Sequence, residues 1–261
     1  MPWSHRYIGT PVISFLGRLF YHSKIGDFNC GMRGYNRQAI LDLELKCIGM
    51  EYASEMIVQA NLNNLKIIEI PTTLKKDGRS RPPHLKSFQD GWRHLKFLLL
   101  YSPKWLFLIP GIILMMIGLI GSLIFVFRNI QLGSIVLGIH SRLYLGAMVV
   151  VGLQMVIFSL FAKIYAINSG MNPKSDRIIK FLSKITLERG LLFGGILTII
   201  GIGLTIYAMV LWEIRGWGNL DPVKVMPITI PAVYFIIMGV QIAFASFFLG
   251  ILNIEYKTEK Q

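Results

Sequence analysis

Long stretches without charge dominate the second half of the chain. Residues 105–127, 143–162, 190–212 and 225–254 contain no Asp, Glu, Lys or Arg. A helix rises about 1.5 Å per residue, so roughly 20 residues cross a hydrocarbon core about 30 Å thick. We therefore predict four transmembrane helices within residues 105–254, at about 105–127, 143–166, 190–212 and 228–252, followed by a short tail at 255–261.

The composition agrees with a membrane protein and narrows the choice of partners. Hydrophobic residues make up 53% of the 261 residues, which is too apolar for the surface of a soluble fold. The net charge is +13, which favours nucleic acid, anionic lipid or phosphate-bearing substrates. Because no nucleic-acid-binding motif is present, we expect lipid head groups and phosphates and no nucleic acid.

Basic residues between the uncharged stretches predict the orientation. The segment 168–189 is the most basic of the connections, and cytoplasmic loops carry an excess of Lys and Arg. We therefore expect this loop, the N-terminal segment and the C-terminal tail to lie in the cytoplasm. Cys30 and Cys47 fit no metal or disulfide pattern, which agrees with a reducing compartment. Residues 8–16 are interrupted by Pro11 and do not resemble a signal peptide.

The transmembrane stretches repeat one another. Residues 111–118 resemble 194–201, and residues 152–161 resemble 239–248, with offsets of 83 and 87 positions. This pattern predicts two hairpins in the same orientation, related by an axis along the membrane normal. Gln154 and Gln241 would then be equivalent residues inside the bundle, either bonding between helices or taking a transport or lipid-phosphate role. No acidic residue lies within a span, which argues against an ion-coupled transporter.

The first hundred residues predict a mixture of helix and strand. We expect helices at 37–46 and 51–63, a β-branched strand at 66–71 that ends at Pro71, and a basic loop at 75–83. A single strand cannot form a sheet, so a partner chain or a longer protein must supply the rest.

Two basic amphipathic helices are expected on the membrane surface. The first lies within residues 84–104, after Pro82-Pro83, and the second within residues 175–185 with Ser175 as its cap. Their apolar stripes are Leu85, Phe88, Trp92, Leu95 and Leu99 in the first, and Ile178, Phe181, Leu182 and Ile185 in the second.

Five motifs in order give the chain a family resemblance. They are Asp27-Phe-Asn-Cys-Gly-Met-Arg-Gly-Tyr-Asn-Arg37, Gly49-Met-Glu-Tyr-Ala-Ser-Glu-Met56, Glu69-Ile-Pro71, Gly78-Arg-Ser-Arg81 and Asp90-Gly-Trp-Arg-His94. Together they resemble the second half of a family 2 glycosyltransferase, most closely the dolichyl- or polyprenyl-phosphate sugar synthases with a C-terminal membrane region. The resemblance implies a truncated α/β (GT-A-type) catalytic part in residues 1–83, four transmembrane helices, and a bacterial plasma membrane.

The chain departs from the family pattern in one respect. Family members begin with a nucleotide-binding half that contains a metal-binding Asp-x-Asp, and no Asp-x-Asp occurs in these 261 residues. The Mg²⁺ or Mn²⁺ that the resemblance implies would therefore have its ligands elsewhere. We expect Met1 to correspond to an internal methionine of the family pattern, and a truncated or split gene product. The nucleotide-sugar-binding half would lie upstream or in a partner chain.

The resemblance also suggests candidate site residues. Arg79 and Arg81 are expected to bind phosphate, because arginine forks match phosphate oxygens, although a solvated loop facing anionic lipid would look the same. Asp27 and Glu55 are the catalytic candidates by resemblance, with an exposed helix charge as the alternative for Glu55. Arg33 is a third phosphate candidate, and pairing with those carboxylates or a structural role fits it equally well.

Three functions follow from these observations. The first is a membrane glycosyltransferase that transfers a sugar from a nucleotide-sugar to a polyprenyl or dolichyl phosphate. The second is a non-catalytic membrane subunit or degenerate fragment that binds a polyprenyl lipid or a partner chain. The third, a small transporter bundle, is disfavoured by the uncharged spans.

Overall fold

The computed structural model describes residues 7, 9–28, 30–49, 51–73, 87–127, 130–132, 135–172 and 186–252. The chain divides into two compact units. The first contains residues 1–106 together with 166–173, and the second contains residues 107–165 and 174–261. The expected basic loop at 75–83 and the expected surface helix at 175–185 lie outside the described residues.

The first unit is a small cluster of helices. Its helices are α1 (Thr10–Tyr21), α2 (Arg37–Leu41), α3 (Tyr52–Leu62) and α4 (Ser87–Leu100). The Tyr21 hydroxyl of α1 donates a hydrogen bond of 2.8 Å to the carbonyl of Leu98 in α4. Ser54 of α3 and His94 of α4 form a buried hydrogen bond of 2.9 Å. The apolar core between these helices consists of Ile13, Tyr21, Ile25, Phe28, Ile57, Val58, Phe97 and Leu98.

Helix α1 is an element that the sequence analysis did not predict. Pro11 lies in its first turn, where a missing N–H costs nothing because that group has no partner inside a helix. The helix ends at His22, whose φ of 53° lies in the left-handed region. The proline thus marks the beginning of a helix rather than an interruption of an apolar run.

The predicted strand at 66–71 does not form. Residues 65–73 have no regular secondary structure, and Ile68 and Ile70 are 70% and 83% exposed. A strand exists only through hydrogen bonds to a neighbour, and the part of the chain that the structure describes offers none beside this segment. The α/β character expected for residues 1–83 is accordingly not seen: in the described residues this part is helical and irregular.

The helix predicted at 37–46 is shorter than expected, whereas the one at 51–63 is confirmed as α3. Helix α2 ends at Leu41, and Glu44 takes a positive φ of 46°. The amide groups of Lys46 and Cys47 donate to the Glu55 carboxylate instead of continuing a helical ladder. A tertiary contact therefore overrides the local helical preference.

The second unit confirms the four predicted spans. In the described residues, four helices are long and apolar enough to cross a membrane: Lys104–Phe125, Ile139–Asn168, Leu187–Ile214 and Pro222–Leu252. The chain is therefore an integral membrane protein. The first span begins with a π-helical turn, Lys104–Leu108, and continues as α5 (Ile109–Phe127). We name the others α6 (Ile139–Asn168), α7 (Leu187–Ile214) and α8 (Pro222–Leu252).

A short hairpin joins the first two spans. Strands β1 (Ile130–Leu132) and β2 (Ile135–Leu137) pair antiparallel, with Ile130 opposite Leu137 and Leu132 opposite Ile135. The sequence analysis did not predict these two strands. Its two strands hydrogen-bond to each other, which satisfies their main-chain groups without a larger sheet.

Pairs of glycines bring the two helices of each hairpin together in the same way. A Cβ atom on Gly111 of α5 would lie 2.9 Å from the carbonyl oxygen of Gly152 in α6. A Cβ atom on Gly194 of α7 would lie 2.6 Å from the carbonyl oxygen of Gly239 in α8. Gly194 and Gly239 are the positions that the offsets of 83 and 87 assign to Gly111 and Gly152. The contacts therefore support the predicted repeat of two hairpins.

Equivalent residues of the two hairpins also meet each other. The side-chain amide of Gln241 donates to the amide oxygen of Gln154. The rings of Phe161 and Phe248, also 87 positions apart, lie 4.7 Å apart in a T-shaped arrangement. A residue meets its own equivalent only where a two-fold axis passes between them, so α6 and α8 cross at an approximate two-fold axis.

A cavity lies beside this axis. It has a volume of about 600 Å³, and its lining includes Gln154, Phe161, Gln241 and Phe248. The Oε1 atom of Gln241 is buried and has no hydrogen-bond partner among the described residues. The glutamine pair is thus only partly satisfied in an otherwise apolar environment.

Candidate functional site

The loop that carries Asp27 leads from α1 toward α2, and contacts from separate parts of the first unit hold it. The carboxylate of Glu69 accepts hydrogen bonds from the backbone N–H of Gly26, at 2.9 Å, and of Asp27, at 3.2 Å. The backbone N–H of Phe28 donates to the Ser14 hydroxyl of α1 at 3.2 Å. The backbone around Asp27 is therefore fixed before any substrate binds.

Phe28 anchors the same loop in the core. Its ring is fully buried, and it lies against Gly17 of α1, where a Cβ atom would come within 2.6 Å of the ring. A side chain at position 17 would displace the ring, because contacts this short do not occur between real Cβ atoms and their neighbours. The absence of a side chain at Gly17 therefore allows the Phe28 ring to pack directly on α1, which holds the loop against the helix.

Arg33 holds the far side of this loop to α3. Its guanidinium donates to the carbonyl oxygens of Phe28 at 2.9 Å, Cys30 at 2.8 Å and Ala53 at 2.5 Å. Burial lowers the pKa of Arg33, and the nearby Cys30 and Asp27 oppose that shift. These three hydrogen bonds of Arg33 go to backbone carbonyls, and Asp27 acts on the guanidinium as a nearby negative charge.

Glu55 is the most deeply buried of the candidate residues that the structure describes. It is 1% exposed, so it is not a solvated helix charge. Its carboxylate accepts hydrogen bonds from the backbone N–H of Lys46, at 3.0 and 3.1 Å, and of Cys47, at 2.8 Å. The Tyr101 hydroxyl donates to the same carboxylate at 3.3 Å. Both oxygens are thus engaged by protein donors, which favours a positioning role over direct contact with a substrate.

The groups around Glu55 titrate at high pH. Burial raises the pKa of the Cys47 thiol to about 11, and the negative charge of Glu55 adds to the shift. Burial and Glu55 also raise the pKa of Tyr101. Both groups therefore stay protonated at neutral pH and can act as hydrogen-bond donors, but not as nucleophiles.

Two contacts join this cluster to the end of the second span. The Lys46 side-chain ammonium donates to the carbonyl of Ser169 at 2.5 Å. The Gln59 side-chain amide donates to the carbonyl of Met171 at 2.9 Å. Residues 166–173 belong to the first unit. The segment that follows α6 is therefore part of the same compact unit as the candidate site.

The structure therefore brings some of the predicted residues together and leaves others aside. Asp27 and Arg33 lie on one braced loop, and Glu55 lies on the helix to which Arg33 binds. Arg79 and Arg81 lie outside the described residues, so their phosphate-binding role stays a prediction, as do the roles proposed for the other three.

Sequence reasoning missed the parts played by Glu69, Ser14 and Tyr101. Glu69 was visible within the Glu69-Ile-Pro71 motif, which marked the residue but not its partner 42 and 43 positions earlier. Ser14 and Tyr101 carried no local signal. Their partners lie 14 and 46 positions away along the chain.

The described residues do not fit the divalent metal that the family resemblance implies. No group of three or more His, Cys, Asp or Glu side chains that could hold a metal ion occurs among residues with a described placement. The carboxylates of Glu55 and Glu69 already accept hydrogen bonds from backbone amides.

Comparison with known proteins identifies the membrane half. Residues 160–253 match the glycosyltransferase family 2 C-terminal transmembrane region. The chain is also 32% identical over 254 residues to the low-salt glycan biosynthesis hexosyltransferase Agl6 of Haloferax volcanii. That match covers 97% of this chain and 60% of the relative, so the chain spans less than two thirds of the relative's length. No solved structure matches the chain. The membrane half of the chain is therefore similar to the C-terminal transmembrane region of family 2 glycosyltransferases.

Proposed function

We propose that this chain is the acceptor-side part and membrane region of a glycosyltransferase that transfers a hexose from a nucleotide-sugar to a polyprenyl or dolichyl phosphate. The observation that carries the proposal is the match of 97% of the chain to a hexosyltransferase, together with the family 2 membrane region. Hexose is the sugar class because the relative is named a hexosyltransferase.

A lipid phosphate is the acceptor that agrees best with the architecture. The four spans anchor the chain in the bilayer, where such a lipid resides, and the chain carries a net charge of +13. A phosphate monoester has a second pKa of about 6 and is largely ionised at pH 7. It therefore attacks the sugar without a general base: a phosphate oxygen forms a bond to the anomeric carbon, and the bond to the nucleoside diphosphate breaks.

The residues of this chain would then position reactants and neutralise charge. We assign phosphate neutralisation to Arg79 and Arg81, since the reaction gathers several negative phosphates in one place. Asp27, on its braced loop, would orient the sugar. Arg33 and Glu55 would maintain the shape of the loop and of the segment at residues 46–47, in line with their hydrogen bonds to backbone groups.

The donor side of the reaction would come from outside these 261 residues. The match leaves 40% of the relative uncovered, and no Asp-x-Asp occurs in this chain. We infer that a nucleotide-binding part, in the same polypeptide or in a partner chain, completes the site and supplies the Mg²⁺ or Mn²⁺ ligands.

The same observation favours a second candidate function. A chain without an Asp-x-Asp could serve as a non-catalytic membrane subunit that binds a polyprenyl lipid or a partner chain. One outcome distinguishes the two functions. If this chain is part of a glycosyltransferase, adding the donor-binding part should restore sugar transfer, whereas a non-catalytic subunit should give no transfer.

Reconstitution tests the proposal. Membranes that contain this chain are incubated with a radiolabelled nucleotide-hexose and polyprenyl phosphate, with and without a co-expressed donor-binding half taken from the uncovered part of the relative. We expect no lipid-linked sugar from the chain alone and labelled lipid from the combination. Transfer by the chain alone, or none by the combination when both parts are shown to associate, would contradict the proposal.

Arg79→Ala tests the phosphate loop in the same assay. We expect turnover to fall at least tenfold, whereas Lys75→Ala, in the same basic loop, should retain most of it. A contrary result would be that both substitutions reduce turnover equally and both weaken binding of the chain to anionic vesicles. The loop would then contact lipid rather than substrate.

A further inference from the structure

A second cavity lies among the transmembrane helices and has other lining residues than the cavity beside the two-fold axis. Its volume is about 190 Å³, and α5, α6 and α8 all contribute to its lining. One water occupies roughly 30 Å³ in the liquid, and packed interiors hold few voids larger than a water. The lining contains a charged residue, Arg142, and we call the space the Arg142 cavity. Its apolar walls include Leu119, Phe125, Val149, Ile230, Phe235 and Met238.

The Arg142 cavity extends from the level of the lipid head groups into the hydrocarbon. Arg142 is the fourth residue of α6, which is 30 residues long. A helix of that length measures about 45 Å, whereas the hydrocarbon core is about 30 Å thick, so the terminal turns of α6 reach the head groups. Val149 lies seven residues further along the helix, or about 10 Å deeper. The cavity therefore has a positive charge at its shallow end and apolar walls at its deep end.

Tyr234 holds α8 against the same end of α6. Its hydroxyl donates a hydrogen bond of 2.6 Å to the carbonyl of Leu143, the residue next to Arg142. Its ring lies on Gly146, where a Cβ atom would overlap the ring. Tyr234 and Gly146 both line the cavity. The backbone that carries Arg142 is therefore held in place within the cavity wall.

We propose that the Arg142 cavity binds an anionic phospholipid of the bilayer. The lipid phosphate lies at the Arg142 guanidinium, and part of one acyl chain lies among the apolar walls. A guanidinium has five N–H donors, so a hydrogen bond within the protein leaves others for phosphate oxygens. The first turn of α6 adds the positive end of the helix dipole. The occupant is a lipid because the apolar walls lie within membrane-spanning helices, where a soluble anion would gain nothing from them.

A lipid in this cavity would join the two hairpins. Helices α5 and α6 form the first hairpin and α8 belongs to the second, so one acyl chain would pack on both. All lining residues belong to the second unit, whereas Asp27, Arg33 and Glu55 belong to the first. The proposal therefore does not rest on the transfer reaction, and each can fail without the other.

Native mass spectrometry of the full chain in detergent tests this site. Phosphatidylglycerol, which is anionic, and phosphatidylcholine, which has no net charge, are added separately, and the bound fraction is measured for each. Arg142→Gln removes the charge, and Ser122→Leu fills the cavity from α5. Arg215→Gln is the matched control, because Arg215 is exposed at the end of α7 and does not line the cavity. Circular dichroism checks the fold of each variant.

The unsubstituted chain should bind phosphatidylglycerol about tenfold more tightly than phosphatidylcholine, the order expected of a charge-assisted hydrogen bond. Arg142→Gln should abolish this preference, and Ser122→Leu should weaken the binding of both lipids. Arg215→Gln should bind both lipids like the unsubstituted chain. Inorganic phosphate should not displace the lipid. A phosphatidylglycerol with a photoreactive diazirine on its acyl chain should label residues of the cavity wall.

Three results would overturn the proposal. The first is an equal preference for phosphatidylglycerol in Arg142→Gln and the unsubstituted chain. The second is photolabelling confined to other surfaces of the helices. The third is displacement by inorganic phosphate, which would show that the site binds a soluble anion. If a substitution prevents folding, photolabelling of the unsubstituted chain still decides the question.

Discussion

The substitution Gly194→Ala should destabilise the second hairpin. The new Cβ atom would lie 2.6 Å from the carbonyl oxygen of Gly239 and 3.0 Å from the backbone nitrogen of Ala243. Non-bonded heavy atoms prefer about 3.5 Å, so α7 and α8 must separate locally by roughly 1 Å. Overpacking of this kind costs about 1–3 kcal/mol, and a gap of that size also weakens the surrounding van der Waals contacts.

Part of this loss is offset within the helix. Alanine is more favourable than glycine in a helix by about 1 kcal/mol. We therefore expect Gly194→Ala to lower the free energy of unfolding by up to about 2 kcal/mol. Unfolding of the detergent-solubilised chain by sodium dodecyl sulfate, followed by circular dichroism, measures this change.

The neighbouring residue is a matched control. Gly195 lies on the same helix, and a Cβ atom there would meet no atom of the described residues within 4 Å. Gly195→Ala should therefore leave stability unchanged or raise it by up to about 1 kcal/mol. Equal effects of the two substitutions would refute the close helix packing. By the repeat, Gly111→Ala should behave like Gly194→Ala, since its Cβ atom would lie 2.9 Å from the Gly152 carbonyl oxygen.

Three further predictions concern the buried polar groups. Glu55→Gln should speed hydrogen exchange at the amides of residues 46 and 47 and lower the free energy of unfolding by about 2 kcal/mol. The reason is that the carboxylate accepts hydrogen bonds with both oxygens, whereas one end of the glutamine amide is a donor. Cys47 should react with iodoacetamide about a hundredfold more slowly at pH 8 in the folded chain than in the unfolded chain. Its pKa of about 11 leaves little thiolate there, and the rate should rise as the pH approaches 11. Gln154→Leu and Gln241→Leu should show a coupling of about 0.6–1.7 kcal/mol in a double-mutant cycle.

Each of these predictions has its own contrary result. Unchanged exchange at residues 46 and 47 in Glu55→Gln would show that the carboxylate does not hold that segment. The Cys30→Ser background isolates Cys47, and a labelling rate equal to that of the unfolded chain would contradict its burial. Additive effects of the two glutamine substitutions would mean that the pair makes no energetically important contact across the axis.

The spans were predictable because their signal is local and strong, but their ends were not. The uncharged stretches gave the second and third spans boundaries near residues 143–166 and 190–212, whereas the helices run from Ile139 to Asn168 and from Leu187 to Ile214. A helix continues into the interface because its hydrogen bonds do not require apolar side chains. Charged residues in those terminal turns can extend to water.

The repeat was also visible in the sequence, because glycine spacing is a local pattern that translates directly into helix contact. The two-fold axis is evident from two side-chain contacts, Phe161 with Phe248 and Gln154 with Gln241. No sequence pattern predicts that these side chains touch. Only the structure shows that equivalent residues touch.

The first hundred residues were harder to predict for a physical reason. The segment at 66–71 has the residues of a strand, but the described chain has no neighbouring strand beside it. Because β-propensity produces a strand only where a partner strand can pair, the prediction failed. The sequence marked Glu55 as a catalytic candidate but left an exposed helix charge open, because its partners, Cys47 and Tyr101, are brought to it by the fold of the whole unit. The cytoplasmic orientation, the bacterial membrane and the roles of the candidate residues remain predictions.

Acceptor specificity tests the central claim most directly. Membranes with this chain and the donor-binding half are given a radiolabelled nucleotide-hexose and one of two acceptors, polyprenyl phosphate or the matching polyprenol. We expect label only in the lipid phosphate, as a sugar phosphodiester that mild acid releases, because the attacking oxygen must already be ionised. Equal transfer to the alcohol, or transfer to neither lipid while the two parts are associated, would contradict the assignment of this chain to a lipid-phosphate glycosyltransferase.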